Sequence, residues 1–216
     1  MKKYKYIILA FLSITVFSCD MGGEPEIGGT GVQEMSGEWW VELYDNKGEL
    51  VVDYNLITTS STAKNSASEM LLYDQAHFED IKAKVVSDIA NLKLMGTDIL
   101  NINFAPTDEV PKTKPVVPIG AVSVTSSNPY SFTLVSSGIF KNKYKAPSGA
   151  NTDSISIGIE PTYEDKFFVA EKYKIDSLAG KLDTTMIWKY VETKKVKHDL
   201  YYLRGYKRTG FLEDEH

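Results

Sequence analysis

Histidine is the side chain best suited to acid–base catalysis near neutral pH, and this chain has three. His77 lies near a turn signal, His198 follows a cluster of lysines, and His216 is the last residue. With a serine and an aspartate, His77 or His198 could complete a hydrolytic triad. The chain nevertheless contains no G-x-S-x-G elbow, no H-E-x-x-H motif, no Cys/His metal spacing and no glycine-rich phosphate loop. No catalytic residue, cofactor or metal ion is predicted, and a hydrolase without a recognisable motif is retained as an alternative.

The aromatic residues indicate binding rather than catalysis. The chain has 13 tyrosines, nine phenylalanines and three tryptophans, which together make 12% of its residues. A tyrosine ring contacts apolar groups while its hydroxyl offers a hydrogen bond, so tyrosine-lined cavities suit amphipathic ligands. The candidate ligand-binding residues are Tyr54, Trp188, Tyr202 and Tyr206. Packing in a core is the alternative role for each of them.

Two arginines stand close together near the C-terminus. Arg204 and Arg208 are the only arginines among 24 basic residues. In a strand over 199–211 they share one face with Tyr202 and Tyr206. A guanidinium stacks flat on an aromatic ring and donates hydrogen bonds in several directions, which an ammonium cannot do. The pattern indicates a geometric need for arginine, with chance placement on an exposed face as the alternative.

Adjacent tryptophans mark the start of the predicted folded part, in the segment SGEWWVELYD at 36–45. Neighbouring residues of a β-strand point to opposite faces. Trp39 and Trp40 therefore cannot share one core. One of the two is expected inside the fold and the other outside it.

The hydrophobic pattern from residue 37 onward has a period of two, which predicts strands that position these residues. In 50–56, for example, Leu50, Val52 and Tyr54 share one face, and Asn46-Lys47-Gly48 supplies a preceding turn. Further strands are predicted at 69–74, 81–86, 91–96, 119–126, 130–141, 152–160, 166–174, 185–192 and 199–211. The fold class is therefore all-β, with about eight to ten strands in an antiparallel barrel or sandwich.

Two segments do not follow the strand pattern cleanly. Ile81, Val85 and Ile89 also have helical spacing, so a helix over 78–95 competes with the strands predicted there. The segment PTDEVPKTKPVVP at 106–118 contains four prolines and is predicted to be a long loop over one end of the barrel. The final EDEH is predicted to be a solvated tail.

The N-terminus predicts an exported and lipidated protein. Residues 1–18 carry three lysines and then an apolar run that is too short to span a membrane, which is typical of a signal peptide. The next residue, Cys19, is the only cysteine, and its surroundings resemble the lipobox of bacterial lipoproteins. Cys19 is therefore predicted to be lipidated and to attach the protein to a membrane, most simply the outer membrane. A cleaved signal with an accidental cysteine is the alternative.

The remaining chain divides into a tether and one domain. Residues 19–35 are rich in glycine and are predicted to be flexible, and residues 36–216 are long enough for a single domain with a core. Removal of residues 1–18 takes away three lysines, so the formal charge changes from −5 to about −8. This charge argues against nucleic acid as a partner and against a polybasic membrane-binding patch.

The G-x-W sequence Gly37-Glu38-Trp39 in the first strand and an arginine in the last resemble the lipocalin pattern. In lipocalins this tryptophan packs at the closed end of an eight-stranded barrel, with an arginine of the final strand across it. The resemblance implies that Trp39 is the inward plug and that Arg204 or Arg208 is its partner. Trp40 would then lie outside the barrel or at its rim.

More closely, residues 19–216 resemble a family of Bacteroidota lipoproteins described as lipid-binding, lipocalin-like putative hydrolases. The lipobox cysteine, GEWWVELYD, EMLLYD and the ending LRGYKRTGFLEDE carry this resemblance. It implies outer-membrane attachment, a lipocalin-like β-barrel over 36–216, and binding of a lipid or small apolar molecule. No catalytic motif of a hydrolase can be placed on the sequence.

Three functions remain open at this level. The first is a lipid-anchored β-barrel that binds a small hydrophobic or lipid-like ligand in an aromatic-lined pocket at one end. The second is an envelope interaction or scaffold protein with a filled barrel and an exposed aromatic patch that includes Trp40. The third is a hydrolase in which His77 or His198 reaches a serine or aspartate inside a cleft. The oligomeric state is not predicted.

Overall fold

The structure, a computed structural model, describes residues 29–107, 109–115, 117, 120–176 and 182–216, without the side chains of residues 173–184. The predicted leader at 1–18, Cys19 and the first part of the predicted tether lie outside the described residues. Val32 and Met35 are fully buried in the core. The folded part therefore begins a few residues before the predicted boundary at residue 36.

The described chain is nearly all β, which confirms the predicted fold class. Two short 3₁₀ turns, Gln33–Met35 and Leu212–Asp214, flank the strands. Within the described residues, no helix has the length and apolar character needed to cross a membrane. The strands are β1 Gly37–Tyr44, β2 Leu50–Ser61, β3 Glu69–Tyr73, β4 Lys82–Asp88, β5 Lys93–Met95, β6 Ile99–Leu100, β7 Val122–Thr125, β8 Ser131–Lys145, β9 Asn151–Asp176, β10 Leu182–Lys197 and β11 Tyr201–Lys207.

Nine strands form one curled antiparallel sheet, a half-barrel in the order β5-β4-β3-β2-β1-β11-β9-β8-β6. Its two ends approach each other. The amide of Leu134 donates to the carbonyl of Gly96 at 2.9 Å, and that of Ile139 donates to the carbonyl of Leu92 at 3.0 Å. Between these bonds, the Ser137 hydroxyl contacts both the amide and the carbonyl oxygen of Leu94. The short strand β5 is thus tied to β8, and the sheet encloses one core.

The segment around residues 78–95 is β4, a turn and β5, so the prediction of strands is confirmed over that of a helix. Along β4, Ala83 and Val85 are buried while Lys84 and Val86 are exposed. That alternation has the period of a strand packed on one face. The helical spacing of the apolar residues is therefore coincidental.

Strand β9 is longer than the sequence suggests, since the predicted strands 152–160 and 166–174 are parts of one 26-residue strand. Its first half pairs with β8 and β11 inside the barrel, and its second half pairs with β10 and β7. Pro161 lies where β9 leaves β11 and joins β10, so its missing N–H falls at the change of partner. We call β7, β10 and residues 162–176 of β9 the arm.

Strand β11 approaches β1 so closely at Gly205 that only a glycine fits there. A Cβ atom at this position would lie 1.8 Å from the carbonyl oxygen of Trp40 and 2.7 Å from the Cα of Val41. Both neighbours are backbone atoms of the adjacent strand, so neither can rotate away as a side chain would. Without a side chain, Gly205 lets β11 pair closely with the strand that carries both tryptophans.

We expect Gly205→Ala to lower the free energy of unfolding by about 1–3 kcal/mol, because overpacking forces the paired strands apart. Urea denaturation followed by circular dichroism measures the change. Gly120→Ala is the matched control, since a Cβ atom at Gly120 meets nothing within 4 Å. Equal stability of the two variants would contradict the close approach of β11 to β1.

Candidate functional site

One end of the barrel is closed by Trp39, which is fully buried. Its indole N–H donates to the Thr59 hydroxyl at 2.8 Å, and that hydroxyl donates to the carbonyl of Met35 at 2.6 Å. The ammonium of Lys207 lies 5.7 Å from the centre of the indole ring. A Cβ atom at Gly37 would come within 2.6 Å of the Lys207 side chain, so Gly37 leaves room for the lysine to cross the ring.

Neither predicted arginine crosses Trp39. In the pairing of β1 with β11, Trp39 is opposite Lys207 and Glu42 is opposite Arg204. Residues opposite each other in an antiparallel pair share a face, so Arg204 lies on the outer face with Glu42. The partner of Trp39 is therefore the lysine next to Arg208. Sequence reasoning missed it because only the register between the two strands identifies it.

Both arginines make contacts on the outside of the barrel. Arg204 lies over the rings of Tyr44 and Tyr202, 5.4 and 5.1 Å from their centres. Arg208 donates to the carboxylates of Glu38 and Glu215 at 2.8 and 2.7 Å. The predicted stacking of an arginine on aromatic rings is thus present at Arg204, away from the core.

Trp40 lies on the outer face, on the opposite side of the sheet from Trp39, and is covered by the C-terminal segment. The ring of His216 packs edge-on against Trp40 at 5.4 Å, and Asp214 is buried. Asp214 accepts hydrogen bonds from the amide and hydroxyl of Ser148 and from the Thr209 hydroxyl. The segment predicted as a solvated tail is therefore folded against the sheet, and the residues that the structure describes form no exposed aromatic patch at Trp40.

The four predicted ligand-binding residues do not meet in one cavity. Tyr54 and Tyr206 contact each other on the outer face with ring centres 5.8 Å apart, and Tyr202 lies beside Arg204. Trp188 belongs to the arm, where its indole N–H donates to the carbonyl of Thr113 at 2.8 Å. The tyrosines are on the outside because the even-numbered residues of β11 share the face of Trp40.

An open groove of about 330 Å³ runs along this outer face. Its floor is made of small residues of β9 and β11, Ser154, Ser156 and Gly205. The remaining lining residues are Glu42, Tyr54, Phe140, Tyr144, Ile155 and Arg204. The groove mixes one acidic and one basic side chain with one exposed and two half-buried rings. It is wide open to water, so it does not bury an apolar ligand.

The end of the barrel opposite Trp39 carries an apolar pocket, which we call the mouth pocket. Trp39 and Leu43 lie four residues apart on β1, which places them about 13 Å from each other along the barrel. The free space in the pocket is about 20 Å³, enough for one water molecule. The side chains that line it are Leu43, Leu72, Asp74, Phe78, Glu79, Ile81, Ile159, Pro161, Tyr201 and Leu203.

The mouth pocket is closed by the β3–β4 connection, residues 74–81, which we call the mouth loop. Phe78 is half-buried and packs against the hydrophobic core from this loop. The free space in the pocket holds one water molecule, so a larger ligand needs the lining to open. Phe78 is the aromatic lining residue that can move most easily, because its half-buried ring is carried by the loop and not by a strand.

The mouth loop is held in a strained conformation. Gln75, Ala76 and Asp80 have positive φ angles of 55°, 59° and 50°, which residues with a Cβ atom adopt at a cost of about 1–2 kcal/mol each. The carboxylate of Asp74 opposes this strain by accepting the amides of Ala76 and Glu79, both at 2.9 Å. The carboxylate of Asp80 also accepts hydrogen bonds from two asparagine side chains. The backbone of the loop is thus anchored, and rotation of the Phe78 side chain is the movement that leaves these bonds in place.

Glu79 is the carboxyl group at the rim of the mouth pocket whose ionisation is most altered. The hydroxyl of Tyr163 on β9 donates a hydrogen bond to it. Burial, and secondarily the nearby Asp74, raise the pKa of Glu79 to about 7. Burial also raises the pKa of Asp74, although its backbone hydrogen bonds act in the opposite direction. The folded protein therefore takes up a proton at Glu79 near neutral pH.

This raised pKa predicts a pH-dependent stability. The folded-state pKa of about 7 exceeds the ordinary value of 4.5, so the folded state binds more protons between these two pH values. The free energy of unfolding therefore falls as the pH rises from about 4.5 to 7 and then levels off. Glu79→Gln keeps an acceptor for Tyr163 but cannot take up a proton. In this variant we expect the free energy of unfolding to fall by about 1–2 kcal/mol less over the same pH range. Urea titrations at pH 5 and pH 8 measure it, and parallel pH profiles of both proteins would contradict it.

The histidines do not form a triad in the described part of the chain. His198 is exposed, and its ring lies against Tyr163 with centres 4.4 Å apart. His77 is exposed on the mouth loop. Neither imidazole hydrogen-bonds to a serine or an aspartate of the described residues.

A family model described as a lipid-binding putative hydrolase matches residues 24–212. The match covers the barrel, the arm and the mouth loop. No curated protein matches the sequence.

Proposed function

The chain belongs to the lipid-binding putative hydrolase family, and from this premise we propose that it binds a small hydrophobic or lipid-like ligand at the mouth of its barrel. We further propose that Cys19 is lipidated after removal of residues 1–18, so that the protein acts at the outer membrane of a Bacteroidota cell. The observation that carries the proposal is the apolar mouth pocket beneath a single movable ring. The family match supports a lipid or hydrophobic ligand.

The mouth is the end of the barrel suited to entry. At the opposite end Trp39 and Lys207 close the interior, and Trp39 is hydrogen-bonded to its neighbour Thr59. At the mouth the covering element is a strained loop with one half-buried aromatic residue, Phe78. Movement of this ring gives access to an aliphatic lining without disturbing a strand.

The size of the pocket limits how much affinity a tail can supply. A tail that replaces the Phe78 ring would bury roughly 150 Å² of apolar surface, which is worth about 4 kcal/mol at 25 cal/mol per Å². That energy corresponds to a dissociation constant of about 1 mM. A ligand bound more tightly therefore needs a polar head group that contacts the rim of the pocket.

Native mass spectrometry with lipid extraction tests the proposal on protein purified without detergent. We expect a co-purifying lipid or small apolar molecule. Ile81→Thr, which places a hydroxyl in the lining, should lose this molecule, whereas Leu100→Thr at an exposed position should keep it. Circular dichroism checks that both variants are folded. A ligand-free mass for the wild-type protein would count against binding at the mouth.

The membrane anchor has a separate test. Cys19→Ala removes the only thiol that could be lipidated. We expect the variant to lose incorporation of radiolabelled palmitate and to move from the membrane fraction to the soluble fraction. Ser18→Ala, which keeps the cysteine, is the control. Retention of Cys19→Ala in the membrane fraction would contradict anchoring through this residue.

A second candidate function is an envelope interaction protein, the alternative in which the barrel is filled. The observation in its favour is the outer strand of the arm, β10, on which Ile187, Tyr190 and Val191 are exposed. Among the described strands β10 pairs with β9 alone, which leaves its other edge open for a partner strand. Loss of a partner from pull-downs by Tyr190→Lys, with ligand binding unchanged, would favour this function.

A further inference from the structure

We propose that the mouth pocket selects amphiphiles whose head group is a cationic amine, and that the carboxylate of Glu79 is the residue that determines this specificity. The inference rests on the proposed ligand-binding function. It names the class of ligand from the side chains at the rim of the apolar cavity.

The polar residues that line the mouth pocket have one sign of charge. Among the described residues, Asp74, Glu79 and Tyr201 are the only ones in the lining that can ionise, and no lysine, arginine or histidine of this part of the chain lines it. A fatty acid or phosphate head group would therefore meet two carboxyl groups without a cation to offset them. An ammonium group at the same place is attracted electrostatically to each carboxylate. The charge of the lining favours a cation.

The two carboxyl groups differ in their capacity to bind a ligand. Both oxygens of Asp74 accept backbone amides of the mouth loop, which occupies this carboxylate within the fold. Glu79 accepts one hydrogen bond, from Tyr163, and its other oxygen has no partner among the described residues. Glu79 is therefore the group with a free acceptor for a ligand.

The position of Glu79 fits the division of an amphiphile into tail and head. Glu79 follows Phe78 directly in the mouth loop, and both line the pocket. When a tail takes the place of the Phe78 ring, its polar end is left at the rim beside Glu79. Rotation of the Phe78 side chain thus opens the apolar space next to the carboxylate of Glu79.

Binding of an amine should depend on pH through Glu79. The groups that face this carboxyl are Asp74 on the mouth loop, Tyr163 on β9 and Tyr201 on β11, and the ring of His198 lies tilted against Tyr163. Burial and Asp74 raise the pKa of Glu79 to about 7, so below this pH the ammonium must displace a proton. We expect the affinity for an alkylamine to be about 30-fold lower at pH 5.5 than at pH 8. Asp74, whose pKa is also raised, acts in the same direction.

Calorimetric titration with three ligands of one chain length tests the inference on the purified protein: octylamine, octanol and octanoate. At pH 8 the amine is charged, since its pKa is close to that of lysine. We expect octylamine to bind at least tenfold more tightly than octanol, and octanoate to bind least tightly. Glu79→Gln should remove the advantage of octylamine over octanol. Glu213→Gln, which makes the same charge change at an exposed position, should keep the wild-type order.

The outcomes separate this inference from the function on which it rests. Equal affinities for the three ligands, or tightest binding of octanoate, would overturn the selection of amines and leave hydrophobic binding at the mouth intact. Absence of binding for all three would overturn both. An advantage of octylamine that persists in Glu79→Gln would show that another residue determines the specificity.

Discussion

Trp39→Ala is expected to lower the free energy of unfolding by about 3–5 kcal/mol, which is the range for a fully buried aromatic residue. The variant loses the indole that fills the closed end of the barrel, and the Thr59 hydroxyl loses its donor. The ring that Lys207 contacts is also lost, so the partly buried ammonium of Lys207 faces a cavity. Urea denaturation at pH 7 measures the effect. A loss of this size is a large part of the roughly 5–15 kcal/mol by which a typical domain is stable.

Trp188→Ala is the control for this prediction. Trp188 is half-buried in the arm, and its main polar contact is one hydrogen bond to Thr113. We expect this variant to lose about 1 kcal/mol. A loss at Trp39 no larger than the loss at Trp188 would mean that Trp39 does not close the barrel. Trp39→Phe keeps most of the apolar volume, so its loss of stability should lie between the losses of Trp188→Ala and Trp39→Ala.

Phe78→Ala is expected to raise the apparent affinity for a hydrophobic ligand by at least tenfold. In the wild-type protein we expect the ring to compete with the ligand for the pocket, so that only molecules with the ring displaced can bind. Removal of the ring eliminates this competition. Fluorescence titration with 1-N-phenylnaphthylamine at pH 8 measures the dissociation constant. The folded state should lose about 1–3 kcal/mol, because Phe78 is only half-buried.

Phe140→Ala is the matched control, because Phe140 is 51% exposed in the outer groove and belongs to the same barrel. Its dissociation constant for the probe should equal that of the wild type. If Phe140→Ala changed binding and Phe78→Ala did not, the ligand site would be the outer groove. If both variants weakened binding, the rings would be contacts of the ligand rather than competitors for its site.

Local pattern was sufficient to predict much of the fold. The period of two predicted an all-β chain, and alternation placed Trp39 and Trp40 on opposite faces of β1. The length of β9 could not be predicted in this way. Pro161 reads as a break in a strand, and only the exchange of partner strands around it shows why the strand continues.

The candidate site was harder to predict because its parts are far apart in the sequence. Glu79 contacts Tyr163 across 84 positions, and no local motif connects a β3–β4 loop to the middle of β9. The loop also has positive φ angles at Gln75, Ala76 and Asp80, where the sequence offers no glycine as a signal. The partner of Trp39 was missed for a related reason. Nothing in the sequence distinguishes Lys207 from the other lysines, and only the strand register shows that it lies over the indole.

Photocrosslinking tests most directly whether the ligand binds at the mouth pocket. An alkyl probe with a diazirine in its tail is bound to the protein at pH 8 and irradiated, and the labelled residues are identified by peptide mass spectrometry. We predict labels on Leu72, Phe78, Tyr201 and Leu203 that disappear when unlabelled octylamine is added in excess. Labels confined to Tyr54, Phe140 and Tyr144 in the outer groove, or to the arm, would contradict it.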